Sequence, residues 1–264
     1  MSKLSLVCLD FDGTIVVYDE EPGFLHPEAV ETINALAARG IGWCTNSGRG
    51  PDSQLRILEL SRLRGLSHMP DALLCSESLI FRRRDGTYVP CEPWNTLAQI
   101  RLTSFHRKVQ AAIRPHLDDW KQKYEPETYV GEGYTTFNVV DADGRTERLL
   151  AELKDAIRDV ERAMVTRNGG WLVLLPDDLG KGNVLRGYQK VAGIPHEATL
   201  AVGDHFNDIS MLDGSAARHV GCPANAIADV VRTVVGAGGY VARGQGAEGT
   251  VEIIQHYLAA LSDA

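Results

Sequence analysis

The chain contains no apolar run near the roughly 18 residues that a membrane-spanning helix needs, and it has neither an internal repeat nor a low-complexity tract. It is short of positive charge: 27 Lys and Arg stand against 35 Asp and Glu, a formal net charge of -8. That balance speaks against a nucleic-acid backbone as partner, because such binding runs on clustered basic charge. Cysteine is scarce and odd in number, with 5 residues, Cys8, Cys44, Cys75, Cys91 and Cys222, and no C-x-x-C spacing. The expectation is reduced, buried thiols, with neither a disulfide frame nor a zinc site. No targeting segment precedes the first strand-like run, so a cytoplasmic location is expected. What remains is the composition of a soluble globular enzyme, 44% hydrophobic and 23% charged. At 264 residues the chain exceeds the usual single domain, so one large or two modest domains are expected, as a monomer or homodimer.

Against this plain background, Leu6-Val7-Cys8-Leu9-Asp10-Phe11-Asp12-Gly13-Thr14 carries the most information. An apolar run ends in two carboxylates one residue apart and then a turn. This reads as a strand delivering an acid pair to its carboxyl end, where open α/β sheets bind their ligands. A calcium loop starting at Asp10 would require Gly at its sixth position and has Ile15 instead. A second apolar run, Ala198 to Val202, leads into Gly203-Asp204-His205-Phe206-Asn207-Asp208, again with acids past its end. Between them, Gly180-Lys181-Gly182 opens a helix-like stretch. It lacks the preceding glycine and the following Ser or Thr of a P-loop.

Strand and helix signals alternate along the chain, which predicts a parallel sheet with right-handed crossovers. Pro27 starts a helix carrying Val30, Ile33, Leu36 and Ala37, and Ile41 to Cys44 is a strand that ends in Thr45-Asn46-Ser47-Gly48-Arg49. From about Arg82 to Leu175 the pattern changes to a hairpin at Asp85-Gly86, a helical stretch from about Pro93 to Lys123, and paired short strands around Tyr129, Thr136 and Asn168-Gly169-Gly170. Hairpins in the middle of a βα array indicate an inserted α+β domain. The reading is a Rossmann-like parallel-sheet core over residues 1-82 and 177-264, with the insertion over 83-176. Trp94, Trp120 and Trp171 read as core residues, and the basic clusters at Arg82 to Arg84 and Arg101 to Lys108 as solvated surface.

Taken in order, Asp-x-Asp-Gly-Thr, a middle Lys and Gly-Asp-x-x-Asn-Asp resemble the haloacid dehalogenase superfamily of aspartate-dependent phosphatases. The long insertion between Ser47 and Lys181 resembles that superfamily's Cof-type branch, whose α+β cap lies between the second and third motifs. Arg83-Arg84-Asp85-Gly86 resembles the hairpin opening that cap, and Gly239-Tyr240-Val241 with Glu248-Gly249 resembles the branch's closing segment. The chain departs from the pattern at Cys75-Ser76-Glu77-Ser78, which replaces the usual Asn-Gly before the cap.

The resemblance implies a Mg²⁺-dependent phosphatase acting on a small phosphorylated metabolite, with a sugar phosphate the expected class and the cap a specificity lid. It makes Asp10 the nucleophile, forming an aspartyl-phosphate, and Asp12 the acid that protonates the leaving alcohol and then activates water, which calls for a raised pKa. Asp10, Asp204 and the main-chain carbonyl of Asp12 would hold Mg²⁺, with Asp208 orienting that shell. Lys181 would neutralise the nucleophile and the transferred group. The second-motif hydroxyl is Ser47 when aligned on Ser-Gly-Arg and Thr45 when aligned on the strand end. Gly48, Arg49 and Asn207 are further candidates for phosphate contact, and His205 is a loop residue. A phosphomannomutase-like phosphotransferase and a non-catalytic phosphate-binding module are the alternatives.

Overall fold

The computed structural model describes residues 3-19, 21-140 and 143-262, and divides into two compact units: Asn95–Gly180, and the segments on either side of it. The first unit begins with β1 (Leu6–Leu9), a short hairpin β2 (Val16–Val17) and β3 (Phe24–Leu25), then α1 (Pro27–Ala37), β4 (Gly42–Ser47), α2 (Pro51–Leu63), β5 (Ala72–Cys75), β6 (Leu79–Arg84) and β7 (Thr87–Pro90). The chain enters the second unit through α3 (Trp94–Ile113), followed by α4 (Leu117–Tyr124), β8 (Glu127–Gly131), β9 (Tyr134–Asn138), α5 (Arg145–Ala156), β10 (Ala163–Asn168) and β11 (Trp171–Pro176). It then returns to the first with α6 (Lys181–Ala192), β12 (Thr199–Val202), α7 (Ile209–Leu212), β13 (His219–Cys222), α8 (Ala228–Gly236), β14 (Tyr240–Val241) and α9 (Gly246–Ser262).

The first unit is built on an 8-stranded sheet ordered β14-β13-β12-β1-β4-β5-β6-β7. It is parallel from β14 to β5, and β6 and β7 are antiparallel additions at one edge. All four residues of β1 are buried, because both faces are covered. Val7 and Leu9 join the cluster containing Ile33, Leu36, Ile57 and Ile253, and Leu6 and Cys8 join the one containing Val184, Leu185, Leu212 and Val230. A strand covered on both faces reads as a continuous apolar run, which is why β1 is conspicuous in the sequence. All five cysteines are free and buried. No helix among the described residues is long and apolar enough to cross a membrane.

The Asp85-Gly86 turn pairs β6 with β7, and β6 pairs with β5, so this hairpin extends the core sheet. The sequence places Arg83 to Pro90 in the inserted domain; in the structure they belong to the core sheet, and the chain crosses between the two units at Trp94 and Lys181.

The second unit has its own 4-stranded antiparallel sheet, ordered β10-β11-β9-β8, covered on one face by a core of Phe105, Val109, Trp120, Phe137, Leu149, Leu153 and Leu172. The helical stretch expected up to Lys123 is broken at Arg114–His116, where Pro115 has no N–H to continue the α-helical ladder. Trp120 is buried as expected, but Trp171 is 43% exposed and stacks on Tyr129 with ring centroids 5.6 Å apart. Its place in β11 next to Leu172 sets it on the face opposite the core that Leu172 and Phe137 join.

His106 of α3 is 1% exposed, with Nδ1 3.1 Å from Thr135 Oγ1 and no hydrogen-bond partner for Nε2. Burial pushes its pKa down from 6.5 to about 4. The unfolded chain therefore binds a proton that the folded one refuses between those values, and stability falls as the pH drops through that window. Thermal melts should show the inserted unit losing stability from about pH 6.5 to about pH 4, by an amount on the order of 3 kcal/mol. His106→Leu should remove most of that slope; an unchanged slope would show that other groups set it.

Candidate active site

Four adjacent parallel strands, β12, β1, β4 and β5, bring their carboxyl ends to one edge of the core sheet. Asp10 follows β1 directly, and its N–H donates to the Val202 carbonyl at 3.0 Å. Ser47 ends β4, Asp204 lies two residues beyond β12, and Lys181 opens α6. The start of α6 is tied to β4 by the Asn46 side chain, whose Nδ2 donates to the Lys181 carbonyl at 3.0 Å. Two glycines permit the close approach of these loops. A Cβ on Gly13, at φ +74°, would lie 2.2 Å from Asp204 Oδ2, and one on Gly203 would lie 2.4 Å from Asp208 Cγ.

Lys181 sits at the centre, wholly buried, with Nζ 2.7 Å from Asp10 Oδ1 and 2.6 Å from Asp208 Oδ1. Burial alone would discharge the ammonium, but Asp10, Asp208 and the charge of Glu77 overcome it and raise its pKa. Asp208 uses its other oxygen to accept from the main-chain N–H groups of Asp204, at 3.0 Å, and His205, at 2.9 Å. This fixes the turn that presents Asp204. Oxygen atoms of Asp10, Asp204 and Asp208 lie within 4.8 Å of one another. Burial, then repulsion from Asp208, raises the Asp10 carboxyl well above its usual range, with Lys181 opposing. The same two causes push Asp204 up to about 7.

This cluster fits a small hard cation. Asp10 Oδ2 is buried with no hydrogen-bond partner, Asp204 is held against its own ionisation, and every donor is oxygen.

The remaining motif residues are distributed as follows. Thr45 is buried, and its hydroxyl donates to Gln54 Oε1 at 2.5 Å. Ser47 Oγ accepts only the nearby Arg49 N–H, at 3.2 Å, among the bonds described for it. The Arg49 side chain engages Asp12 rather than standing free, with Nε 2.9 Å from Oδ2 and Nη2 2.8 Å from Oδ1. Tyr18 donates its hydroxyl to Asp12 and accepts from Arg49 Nη2 at 2.8 Å. Burial works to raise the Asp12 pKa, but the hydrogen bonds from Arg49 and Tyr18 outweigh it and hold the carboxyl below its ordinary value. The sequence expectation was a raised pKa; the ion pair, invisible in the motif, reverses it.

Sequence reasoning missed Tyr18, Glu77 and Asn225. Asn225, in the loop after β13, donates to the Gly13 carbonyl at 3.0 Å and to Asp204 Oδ2 at 3.2 Å, and accepts from the Gly246 N–H at 2.6 Å. No local pattern marks it. Glu77 carried a signal in the departure from Asn-Gly, and it accepts a hydrogen bond from Asn207 Nδ2 at 3.0 Å.

Comparison with known proteins agrees with this architecture. A family model described as haloacid dehalogenase-like hydrolase matches residues 76–230. The sucrose-phosphatase of Synechocystis sp. PCC6803, solved with sucrose and phosphate, is 21% identical, with a TM-score of 0.69 over 97% of this chain and 98% of that one. A haloacid dehalogenase-like hydrolase from Bacteroides thetaiotaomicron is 19% identical, with a TM-score of 0.62 over 96% of this chain and 99% of that one. A sugar phosphatase of subclass IIB is 17% identical, with a TM-score of 0.63 over 96% of this chain and 98% of that one. At these identities the likeness is one of fold. No curated protein matches the chain.

Proposed function

Since the chain belongs to the haloacid dehalogenase-like hydrolases, we propose that it is a Mg²⁺-dependent phosphatase that hydrolyses a small phosphorylated metabolite, a sugar phosphate, through an aspartyl-phosphate. The observation that carries this reading is the buried Lys181, in contact with both Asp10 and Asp208 beside the third acid, Asp204. A phosphate ester resists attack because both it and an anionic nucleophile are negative, so the site must neutralise charge and align the attacker.

Asp10 forms a bond to phosphorus while the bond to the leaving oxygen breaks, and the leaving alkoxide takes a proton from Asp12. Water then attacks phosphorus, Asp12 accepts its proton, and Asp10 is released as carboxylate with inorganic phosphate. Lys181 offsets the charge on Asp10 and on the group in transit. Asp10, Asp204 and the main-chain carbonyl of Asp12 would hold Mg²⁺, with Asp208 orienting Asp204, and the ion would supply Lewis-acid charge neutralisation. Held by Arg49 and Tyr18, Asp12 is in the form suited to its base role; its acid role requires that ion pair to loosen.

The geometry favours Ser47 over Thr45 as the hydroxyl that donates to phosphate, because the Thr45 proton is committed to Gln54. Ser47→Ala should raise KM about tenfold, the worth of a hydrogen bond to a charged group, and leave the melting temperature near wild type. Thr45→Val should cost stability and leave KM close to wild type. The reverse pattern would exchange the two roles.

The reading as a whole is tested by steady-state phosphate release from a panel of phosphorylated sugars and related metabolites, with Mg²⁺, with and without a sugar bisphosphate. Release that needs no bisphosphate is the expected result. Bisphosphate-dependent isomer formation without release would assign a phosphotransferase, and inactivity on every ester would overturn the enzyme reading.

A further inference from the structure

Strand β5 is followed by two consecutive residues with left-handed backbone, Ser76 at φ 51° and Glu77 at φ 53°. A residue with a Cβ adopts this conformation only where its surroundings impose it, and glycine would relax it. The fold nonetheless keeps a carboxyl group there, and keeps it 3% exposed, so an unfavourable backbone and a buried polar group coincide in one residue.

The direction of this side chain gives the reason. Oε1 of Glu77 lies 3.0 Å from Asn207 Nδ2 and 3.6 Å from the position a Cβ on Gly48 would take. Glu77 follows β5 and Asn207 follows β12, and the sheet order β12-β1-β4-β5 puts the ends of β1 and β4 between them. The Glu77–Asn207 hydrogen bond therefore spans the edge at which Asp10 and Ser47 stand. Asn207 is 4% exposed, and the two ends of its amide are alike in size, so its hydrogen bonds decide which end faces where. Oε1 of Glu77 accepts from Nδ2, so this bond turns Nδ2 toward Glu77 and Oδ1, which has no hydrogen-bond partner among the described residues, away from it. The amide nitrogen carries two N–H groups, and one of them is the donor to Glu77.

We infer that Glu77 is a positioning residue that orients the Asn207 carboxamide to donate to the phosphoryl group beside Asp10. The inference rests on the phosphatase reading above; the Asn207 contact is already a candidate from the motif, and what is new is its dependence on a residue outside the recognised motifs.

The test is binding of inorganic phosphate in Mg²⁺ buffer, measured by calorimetry, together with steady-state kinetics and melting temperature. Glu77→Gly and Asn207→Ala should each weaken phosphate about tenfold, and the double variant should weaken it no more than either alone, because the two act as one unit. KM should rise by a similar factor in Glu77→Gly while kcat changes less than about threefold. Its melting temperature should not fall, since glycine relaxes the backbone. Glu77→Gln, which keeps an acceptor for Nδ2, should restore phosphate affinity to within about threefold of wild type. Glu77→Ala repeats the test should glycine loosen the turn. Wild-type phosphate affinity in both Glu77→Gly and Glu77→Ala, strictly additive losses, or a Glu77→Gln variant as weak as Glu77→Gly would each overturn the inference. Failure of the phosphatase reading looks different: the wild-type protein would bind phosphate and release none from any ester.

Discussion

Asp10→Asn is expected to abolish phosphate release, by about 10⁴-fold or more, while the protein stays folded. The loss is large because an amide at this position cannot form the phosphoryl bond, so the two-step route disappears rather than slows. The fold survives because Asn has nearly the same shape, and because the change removes one of three carboxylates that repel one another. Lys181 keeps Asp208 as its partner at 2.6 Å. The metal-free variant should accordingly melt no lower than the metal-free wild type. Activity above a few per cent of wild type would remove Asp10 from the nucleophile's role.

Metal removal is expected to have an effect of comparable size. Asp10, Asp204 and Asp208 converge in one small buried volume, and the single ammonium of Lys181 leaves excess negative charge. Chelation should stop turnover and Mg²⁺ should restore it. Ca²⁺ should inhibit, because it binds oxygen donors without the octahedral geometry that aligns the attack. The pKa of Asp204, raised to about 7 by burial and then by Asp208, adds a stability signature. A carboxyl whose folded value is raised from 3.8 contributes stability that is complete below the unfolded value and is lost as pH rises through the folded one. Metal-free protein should therefore lose melting temperature as pH rises from 3.8 to about 7, with no further loss from this group above it. Saturating Mg²⁺ should reverse that trend, since a bound cation favours the ionised carboxylate. Full activity in excess chelator, or a melting temperature indifferent to Mg²⁺ above that pH, would contradict the metal site.

The legible parts of this protein are those where one strong requirement acts on neighbouring residues. β1 is covered on both faces, so its apolar run and terminal acids stand out, and the same holds for β12 and the turn from Asp204 to Asp208. Lys181 was readable because glycines flank it at the start of α6. Requirements met across the chain were not readable. The Arg49–Asp12 pair joins residues 37 apart and turns an expected rise in pKa into a fall. Asn225 reaches Gly13 across 212 residues. Thr45 and Ser47 are equivalent as a motif, and only the Gln54 side chain on α2 separates them. In the second unit, Trp171 was misread because alternation along a strand shows two faces without showing which one is covered.

The central claim is that phosphate leaves through a covalent bond to the protein, and the stereochemistry at phosphorus tests it without requiring the intermediate to accumulate. A phosphorothioate analogue of the substrate ester, chiral at phosphorus through its sulfur and two of the three stable oxygen isotopes, would be turned over in water carrying the third, and the configuration of the released thiophosphate determined. Two successive in-line displacements each invert the centre, so the account predicts net retention; net inversion would mean that water attacks the ester directly and would contradict it.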